Sequence, residues 1–374
     1  MRQSGISLGS ADPNGATSGS TWVDRLCPNE LSQALRDAGE LEPGRTVTSV
    51  VPQPLGVGKA MMSSLMRLHL TYDAPSSGPP SLVVKQACDD PFRRSVADRF
   101  SFYERERYFY ERLAGSVPFR VPGCYLAAVD PATAAPVLLL EDLGDLSTAQ
   151  AVGCSWEVAL VAARELARFH SQWWGTADTL AADVHAYNSP DYVRTLGALF
   201  SESWQHCRRH AADRTPEVLA DLGDRWESDV LPAVAEILSR PATLCHGDFR
   251  SDNLRLVDEA LVVFDFQLLV RGNGISDLAY FTTQSLPTEV RTGRDGELLD
   301  LYLAALRTQG VNYDRSEAWE AYRATALYML VFPVVLYQAY HEQPPNGRDL
   351  IDAMFGRSVA AITELEAWSV LGQR

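Results

Sequence analysis

Residues 244–254 read Leu-Cys-His-Gly-Asp-Phe-Arg-Ser-Asp-Asn-Leu, and residues 261–267 read Leu-Val-Val-Phe-Asp-Phe-Gln. The spacing is H-x-D-x4-N, followed by Asp265 at the end of a short apolar run. Two acids and an amide around an apolar β hairpin have no obvious packing purpose. Phosphoryl transfer, by contrast, needs a carboxylate that positions and deprotonates a hydroxyl, and oxygen ligands for Mg²⁺. The pattern therefore predicts Asp248 as the catalytic base and Asn253 with Asp265 as the metal ligands.

The sequence on either side predicts an α+β protein with a β-rich first part and a mostly helical second part. Residues 65–72 alternate with the period of two that is typical of a strand. In the first part we predict strands over residues 45–55, 65–72, 82–85, 124–129 and 136–140, and one helix over 95–114. In the second part we predict helices over residues 155–174, 191–210, 216–239, 288–309, 315–341 and 347–370, with one β-like island over 242–266. The pattern changes near residue 143.

The charge and composition argue against several classes of protein. The 374 residues include 33 Lys and Arg against 48 Asp and Glu, so the net charge is −15 and we expect no binding to nucleic acid or to an anionic membrane. The longest apolar run, near residues 327–336, contains Pro333 and is too short to span a bilayer, and the N-terminus lacks the apolar run of a signal peptide. The six cysteines form no C-x-x-C pair, so we expect reduced, mostly buried thiols in a cytoplasmic protein.

The stretch over residues 244–267, together with Asp-Leu-Ala-Tyr-Phe over 277–281, resembles the protein-kinase-like superfamily. Within that superfamily, the sequence pattern is similar to that of the aminoglycoside and choline kinase-like small-molecule phosphotransferases. It is most similar to their ecdysteroid-kinase-like branch. The resemblance implies a bilobal protein-kinase-like fold. The expected parts are a flexible tail over 1–24, a small β-rich N-lobe with one helix over 25–143 that binds nucleotide, and a larger, mostly helical C-lobe over 144–374 with the catalytic loop, the metal site and the acceptor site.

A lysine and a glutamate of the first part match a second feature of kinases. Kinases need a strand lysine that holds the α- and β-phosphates and a helix glutamate that orients this lysine. Lys85 ends an apolar strand, and Glu106 lies on the apolar face of the predicted helix. A lone carboxylate on a buried face is costly, so we predict an ion pair between Lys85 and Glu106. Glu104 and Glu111 are the competing candidates. We favour Glu106 because the Glu-x-x-Phe-Tyr motif that begins there resembles the family pattern.

The resemblance assigns the rest of the nucleotide to two further segments. Gly56 and Gly58 belong to a Leu-Gly-Val-Gly-Lys run between the first two strands, where small residues let backbone N–H groups approach phosphate. Ser63 or Ser64 would add a hydroxyl to this loop. The backbone groups of Glu141 and Leu143 would pair with the purine edge, so the side chains do not distinguish ATP from GTP.

The resemblance also suggests roles for three residues around the base. Arg250 occupies the place where kinases often hold a cation near the γ-phosphate, and there it would offset charge in the transition state. His246 is expected to brace the catalytic loop, and Asp277 resembles the aspartate that ties the backbone of this loop. The acceptor site shows no motif, although four aromatic residues are candidates for its lining or for the core: Trp173, Trp174, Trp204 and Tyr328.

We therefore predict an ATP- or GTP-dependent O-phosphotransferase that uses Mg²⁺ and acts on a hydroxyl of a small molecule. The acceptor is an antibiotic of the aminoglycoside or nucleoside type or a hydroxylated metabolite, and acid concentrated around the acceptor cleft would favour a cationic one. We expect a monomer or homodimer whose partner is the small-molecule substrate. A catalytically silent kinase-like nucleotide-binding module is the alternative. A protein kinase is disfavoured because the segment between Asp265 and Asp277 is too short for an activation loop.

Overall fold

The computed structural model of the chain describes residues 26–55, 62–75, 77–130, 134–144, 150–180, 184–257 and 260–372. The N-terminal region is built on an antiparallel sheet of five strands in the order β1-β2-β3-β5-β4. These strands are β1 Val47–Leu55, β2 Ser63–Tyr72, β3 Ser81–Ala87, β4 Cys124–Val129 and β5 Pro136–Glu141. The tail predicted over 1–24, and Gly56 and Gly58 of the predicted phosphate loop, lie outside the described residues.

The central strand β3 places Lys85 in the middle of the sheet, between β2 and β5. Leu82 and Val84 are fully buried in a small apolar cluster with the leucines of helix α1, Pro28–Asp37. Because side chains alternate along a strand, Val83 and Lys85 point to the opposite face of the sheet. That face lines a cavity, which is described below.

The helical part of the N-terminal region differs from the prediction in detail. The continuous helix expected over 95–114 is two helices, α2 Pro91–Arg99 and α3 Phe102–Tyr108, followed by a π-helical turn over Phe109–Leu113. The break lies at Ser101, whose φ of 53° is in the left-handed region and cannot continue a right-handed helix. Helix α1 was not predicted. The described ranges therefore hold three helices before residue 143 instead of one.

The remainder is mostly helical and confirms the α+β class. Its helices are α4 Trp156–Gln172, α5 Pro190–Ala211, α6 Glu217–Asp224, α7 Leu231–Ser239, α8 Ile275–Ser285, α9 Thr288–Arg291, α10 Asp295–Thr308, α11 Arg315–Tyr328, α12 Val331–Leu336 and α13 Pro345–Glu364. Two small antiparallel sheets pair β6 Thr243–Cys245 with β9 Val270–Gly272, and β7 Leu254–Val257 with β8 Ala260–Val263. The single helices predicted over 216–239, 288–309 and 315–341 are each interrupted, and β9 and α8 were not predicted.

One large apolar core connects the N-terminal helices to the helical remainder. Its clearest contact across the two regions is the stack of Phe109 on Phe266, with ring centroids 3.5 Å apart and an angle of 8° between the planes. The boundary at residue 143 stays a prediction. Among the described helices, none is both long and apolar enough to cross a membrane. All six cysteines are free thiols, but the expectation of burial holds fully for only three of them, Cys88, Cys207 and Cys245.

Candidate active site

A cavity of about 530 Å³ lies between the N-terminal sheet and the helical remainder. Strands β2 and β3 and the segment after β5 contribute one wall. The loops around β7 and β8 contribute another, and helices α2, α3, α5, α11, α12 and α13 contribute the third. Nine of the predicted site residues that the structure describes line this cavity: Ser63, Lys85, Glu106, Glu141, Leu143, Asp248, Arg250, Asn253 and Asp265. The structure therefore brings together residues that are far apart in the sequence.

The expected ion pair between Lys85 and Glu106 is present. Lys85 Nζ lies 2.7 Å from Glu106 Oε2 and 2.8 Å from Asp265 Oδ1. Of the competing candidates, Glu111 bonds to Arg107 Nη1 at 2.7 Å on the protein surface. The lysine thus joins strand β3, helix α3 and the loop after β8 at one point, and only 10% of its side chain is exposed.

One ammonium group serves two carboxylates, and this shapes their pKa values. Burial raises the pKa of Glu106 to about 7, although Lys85 opposes the shift. Burial also acts to raise the pKa of Asp265, but Lys85 outweighs it and holds this pKa below its usual range. Burial disfavours the charged form of Lys85, yet Asp265 and Glu106 raise its pKa above the usual range. The ammonium of Lys85 therefore favours the charged form of Asp265 more strongly than that of Glu106.

The predicted catalytic loop over residues 246–253 is held by hydrogen bonds between side chains and its backbone. Asp277 of helix α8 accepts hydrogen bonds from the backbone N–H of His246 at 2.6 Å and of Gly247 at 2.9 Å. The His246 ring accepts from the backbone N–H of Asp248 through Nδ1 at 3.2 Å, which leaves Nε2–H to donate to the carbonyl of Phe264 at 3.1 Å. Both ring nitrogens are thus bonded within the loop region, as expected for a brace.

Asp248 is buried at the centre of this loop, where its carboxylate accepts two hydrogen bonds and forms one ion pair. Its Oδ1 accepts from Tyr280 Oη at 2.7 Å, and its Oδ2 accepts from Asn253 Nδ2 at 2.8 Å. Arg250 Nε lies 3.1 Å from Oδ1 as an ion-pair contact. Burial raises the pKa of Asp248 above its usual range, while Arg250 and Tyr280 act to lower it. Nothing in the sequence pattern had assigned a role to Tyr280.

Arg250 is tied to two carboxylates rather than pointing freely into the cavity. Besides its contact with Asp248, its Nη1 donates to Asp252 Oδ2 at 3.0 Å. Asp252 in turn accepts from the backbone N–H of Gln150 through Oδ1 at 2.8 Å. The guanidinium lines the cavity, and its contact with a γ-phosphate stays a prediction.

Asn253 and Asp265 offer the oxygen atoms that a hard divalent cation prefers. The amide nitrogen of Asn253 donates both to the backbone carbonyl of Asp248 at 2.9 Å and to its carboxylate, so the amide oxygen is the atom left for a cation. Asp265 uses Oδ1 on Lys85, and its side chain keeps 25% of its surface exposed to the cavity. The short hairpin β7–β8 brings the two residues together, because Phe264 N–H bonds to the carbonyl of Asn253 at 3.1 Å. The donor set therefore fits Mg²⁺.

Two of the other residues predicted to contact the nucleotide already form hydrogen bonds within the protein. Ser63 Oγ donates to Gln267 Oε1 at 3.3 Å, which links β2 to the loop after β8. The backbone N–H of Glu141 bonds to the carbonyl of Gly123 at 2.7 Å, so Glu141 offers a purine only its carbonyl oxygen. Leu143 lines the cavity beside it. Asp142 anchors this segment, since Arg67 Nε and Ser81 Oγ both bond to it at 2.6 Å.

The third wall of the cavity is apolar. It is formed by residues of helices α2, α3, α5, α11, α12 and α13, including Phe100, Phe102, Tyr192, Leu196, Leu199, Tyr328, Val331, Phe332, Val335 and Met354. Of the four aromatic candidates, Tyr328 lines this wall, and its hydroxyl bonds to that of Tyr192 at 2.6 Å. Trp204 packs in the core, and Trp173 and Trp174 pack against it.

Comparisons with known proteins identify the family. The model of the ecdysteroid kinase-like family matches residues 57–311, so the chain belongs to that family. No curated protein matches the sequence. Choline kinase from Cryptosporidium parvum is similar in structure, with a TM-score of 0.55 and 11% identity over 91% of this chain and 97% of that one.

Two solved complexes share the same fold. Amicoumacin kinase hAmiN in complex with AMP-PNP, Ca²⁺ and Ami has a TM-score of 0.54 and 14% identity over 90% of this chain and 97% of that one. The GDP and kanamycin complex of the phosphotransferase APH(2")-IIIa has a TM-score of 0.52 and 14% identity over 89% and 97%. At these identities the likeness establishes the kinase-like fold.

Proposed function

We propose that the protein is a Mg²⁺-dependent O-phosphotransferase that transfers the γ-phosphate of ATP or GTP to a hydroxyl of a small molecule. One observation carries the proposal: a single cavity has Lys85, Glu106 and Asp265 on one side and Asp248 with Asn253 on the other. The first group suits a triphosphate, and the second suits a hydroxyl that must lose its proton. Family membership supports this assignment.

In the proposed reaction, the acceptor oxygen attacks the γ-phosphorus in line. A bond forms between the acceptor oxygen and phosphorus, and the bond from phosphorus to the β,γ-bridging oxygen breaks, so the nucleoside diphosphate leaves. The acceptor proton passes to the carboxylate of Asp248. Lys85 holds the α- and β-phosphates. Mg²⁺, held by the amide oxygen of Asn253 and the carboxylate of Asp265, would neutralise phosphate charge and orient the γ-phosphate.

The acceptor we propose is a neutral, largely apolar molecule with a hydroxyl group. A cation such as an aminoglycoside needs unpaired carboxylates, but the cavity carboxylates already have partners: Lys85 for Glu106 and Asp265, and Arg250 for Asp248 and Asp252. The third wall presents mainly aliphatic and aromatic side chains. Such a wall gains free energy from burying apolar surface and offers a cation no counter-charge. The residues of helices α5, α11, α12 and α13 that line this wall include no acidic side chain, so the excess acid of the chain is not concentrated on that wall.

A nucleotide-consumption screen tests this function. Purified protein is incubated with Mg²⁺ and ATP or GTP against a panel of hydroxylated compounds, both apolar and cationic, and the product is identified by mass spectrometry. We expect a phosphorylated apolar alcohol, and Asp248→Asn should lower its turnover by about 10²–10⁴ while the variant still binds nucleotide. Nucleotide binding without transfer to any acceptor would support the silent module instead. Wild-type turnover by Asp248→Asn would remove the base, and preference for a cationic acceptor would contradict the proposed class.

A further inference from the structure

Helix α8 contacts the catalytic loop through two side chains that lie one turn apart. Asp277 binds the backbone N–H groups of His246 and Gly247, and Tyr280 donates its hydroxyl to the carboxylate of Asp248 at 2.7 Å. Residues i and i+3 share one helix face, so both contacts come from the same side of α8. Three consecutive loop residues are therefore positioned by one rigid element, and only the second contact reaches the side chain of the proposed base.

The groups around Asp248 are distributed unequally over its two oxygens. Each oxygen accepts one hydrogen bond among the described residues, Oδ1 from Tyr280 Oη and Oδ2 from Asn253 Nδ2. In addition, the cationic Arg250 Nε lies 3.1 Å from Oδ1. A nearby cation disfavours protonation of the oxygen that it faces, so Oδ2 is the oxygen better suited to take a further proton.

We propose that Tyr280 is a positioning residue whose hydrogen bond to Oδ1 of Asp248, beside the charge of Arg250, makes Oδ2 the atom that receives the acceptor proton. This inference rests on the proposed function. Tyr280 acts through Asp248, because its hydroxyl donates to the carboxylate. Without the hydroxyl, Oδ1 loses its hydrogen bond and the carboxylate loses one of the two donors that fix its rotation.

The ring of Tyr280 packs against the apolar third wall of the cavity. It stacks on Phe332 of helix α12, with ring centroids 5.1 Å apart and an angle of 11° between the planes, and it is 1% exposed. The substitution Tyr280→Phe keeps this ring and removes only the hydroxyl. The chain also offers a matched control: Tyr322 of α11 is buried and donates to Asp295 Oδ1 at 2.8 Å, and neither residue lines the cavity.

The test compares Tyr280→Phe with Tyr322→Phe, using the acceptor found by the screen, or water if nucleotide hydrolysis is the only turnover. Tyr280→Phe should lower kcat about tenfold to a hundredfold, the range for a hydrogen bond to a charged group, with unchanged Kd for Mg²⁺-nucleotide. Tyr322→Phe should lower stability and leave kcat unchanged. Equal kcat for wild type and Tyr280→Phe, or an equal loss in both variants, would overturn the inference.

A double substitution separates this inference from the proposed function. If Tyr280 acts through Asp248, adding Tyr280→Phe to Asp248→Asn should lower kcat no further, whereas independent roles would multiply the two losses. An inactive Asp248→Asn with a fully active Tyr280→Phe overturns the positioning role alone, and a fully active Asp248→Asn overturns the base itself. Crystal structures add a readout without turnover: the Asp248 carboxylate should rotate in Tyr280→Phe, and an unchanged rotamer contradicts the proposal.

Discussion

Gly247 determines how closely the catalytic loop can approach the segment after β8. Its φ of 79° lies in the left-handed region, and a Cβ at this position would lie 2.1 Å from the carbonyl oxygen of Leu268. The backbone of Leu268 therefore packs directly against the residue before Asp248. Glycine satisfies both requirements at once, since it has no Cβ and adopts positive φ at little cost. The position of the proposed base Asp248 thus depends on the absence of a Cβ at residue 247.

Gly247→Ala is expected to lower the free energy of unfolding by more than Gly310→Ala. Gly310 has a similar φ of 82° and no atom within 4 Å of a built Cβ, so alanine there costs only the left-handed backbone penalty of about 1–2 kcal/mol. At residue 247 the clash with Leu268 adds about 1–3 kcal/mol of overpacking. Urea denaturation of both variants measures the difference, and equal losses would show that the loop yields freely.

At the scale of elements, one ion-paired group joins strand β3, helix α3 and the loop after β8. Lys85 comes from the strand, Glu106 from the helix and Asp265 from the loop. The burial that makes the arrangement rigid also raises the pKa of Glu106 to about 7. The junction is therefore sensitive to pH in a range where ordinary carboxylates do not titrate.

The stability of the protein without nucleotide or metal should fall between pH 5 and pH 8 because of Glu106. Its pKa is about 7 in the folded chain against an ordinary 4.5, so the folded state binds the extra proton in this window and loses that advantage as the pH rises through 7. Asp265, whose pKa is lowered, acts only below its ordinary 3.8. Relative to Glu106→Gln, the wild type should lose about 1–3 kcal/mol across the window. Parallel pH profiles of the two proteins in chemical denaturation would contradict this expectation.

The elements that could be predicted from the sequence are those with a local signal. The loop over 244–267 has its polar residues at fixed spacing, and β2 alternates apolar and polar residues over 66–72. Helix α8 has no such signal, because all eleven of its residues are buried and it therefore has no polar face to create a period. The contact of Tyr280 with Asp248 joins residues 32 positions apart, which no spacing rule describes. The break at Ser101 depends on a left-handed backbone conformation, and a serine in the sequence does not predict that conformation.

Helix α1 could have been found. Pro28 stands at its first position, and Glu30 bonds back to the backbone N–H of Cys27 at 3.1 Å, as in a capping box. Leu31 and Leu35 then follow at helical spacing. The helix has only ten residues. Because a Gly- and Ser-rich segment precedes it, the whole N-terminal stretch resembles an irregular tail.

At the scale of the whole molecule, the cavity lies where the sheet meets the helical remainder, so a ligand there contacts both regions. Mg²⁺-nucleotide at 100 times its Kd should stabilise the protein by about 2.7 kcal/mol, which raises Tm by several degrees. Chelation of the metal with EDTA should remove most of this gain. Asp265→Ala should show little metal-dependent gain, because it lacks a proposed ligand and a partner of Lys85. Differential scanning fluorimetry measures Tm for the wild type with Mg²⁺-nucleotide, for the wild type after EDTA is added, and for Asp265→Ala. An equal rise in Tm in the presence of EDTA would exclude Asp265 and Asn253 as metal ligands.

Helix α3 is fastened to the helical remainder at several points. The guanidinium of Arg105 is fully buried and donates to the carbonyl of Leu269 at 3.0 Å, and Phe109, directly after the helix, stacks on Phe266. Swinging this helix outward, which would separate Glu106 from Lys85, requires all of these contacts to break. Under the proposed function, we therefore expect Glu106 and Lys85 to stay paired before a nucleotide arrives, so that binding requires no movement of this helix.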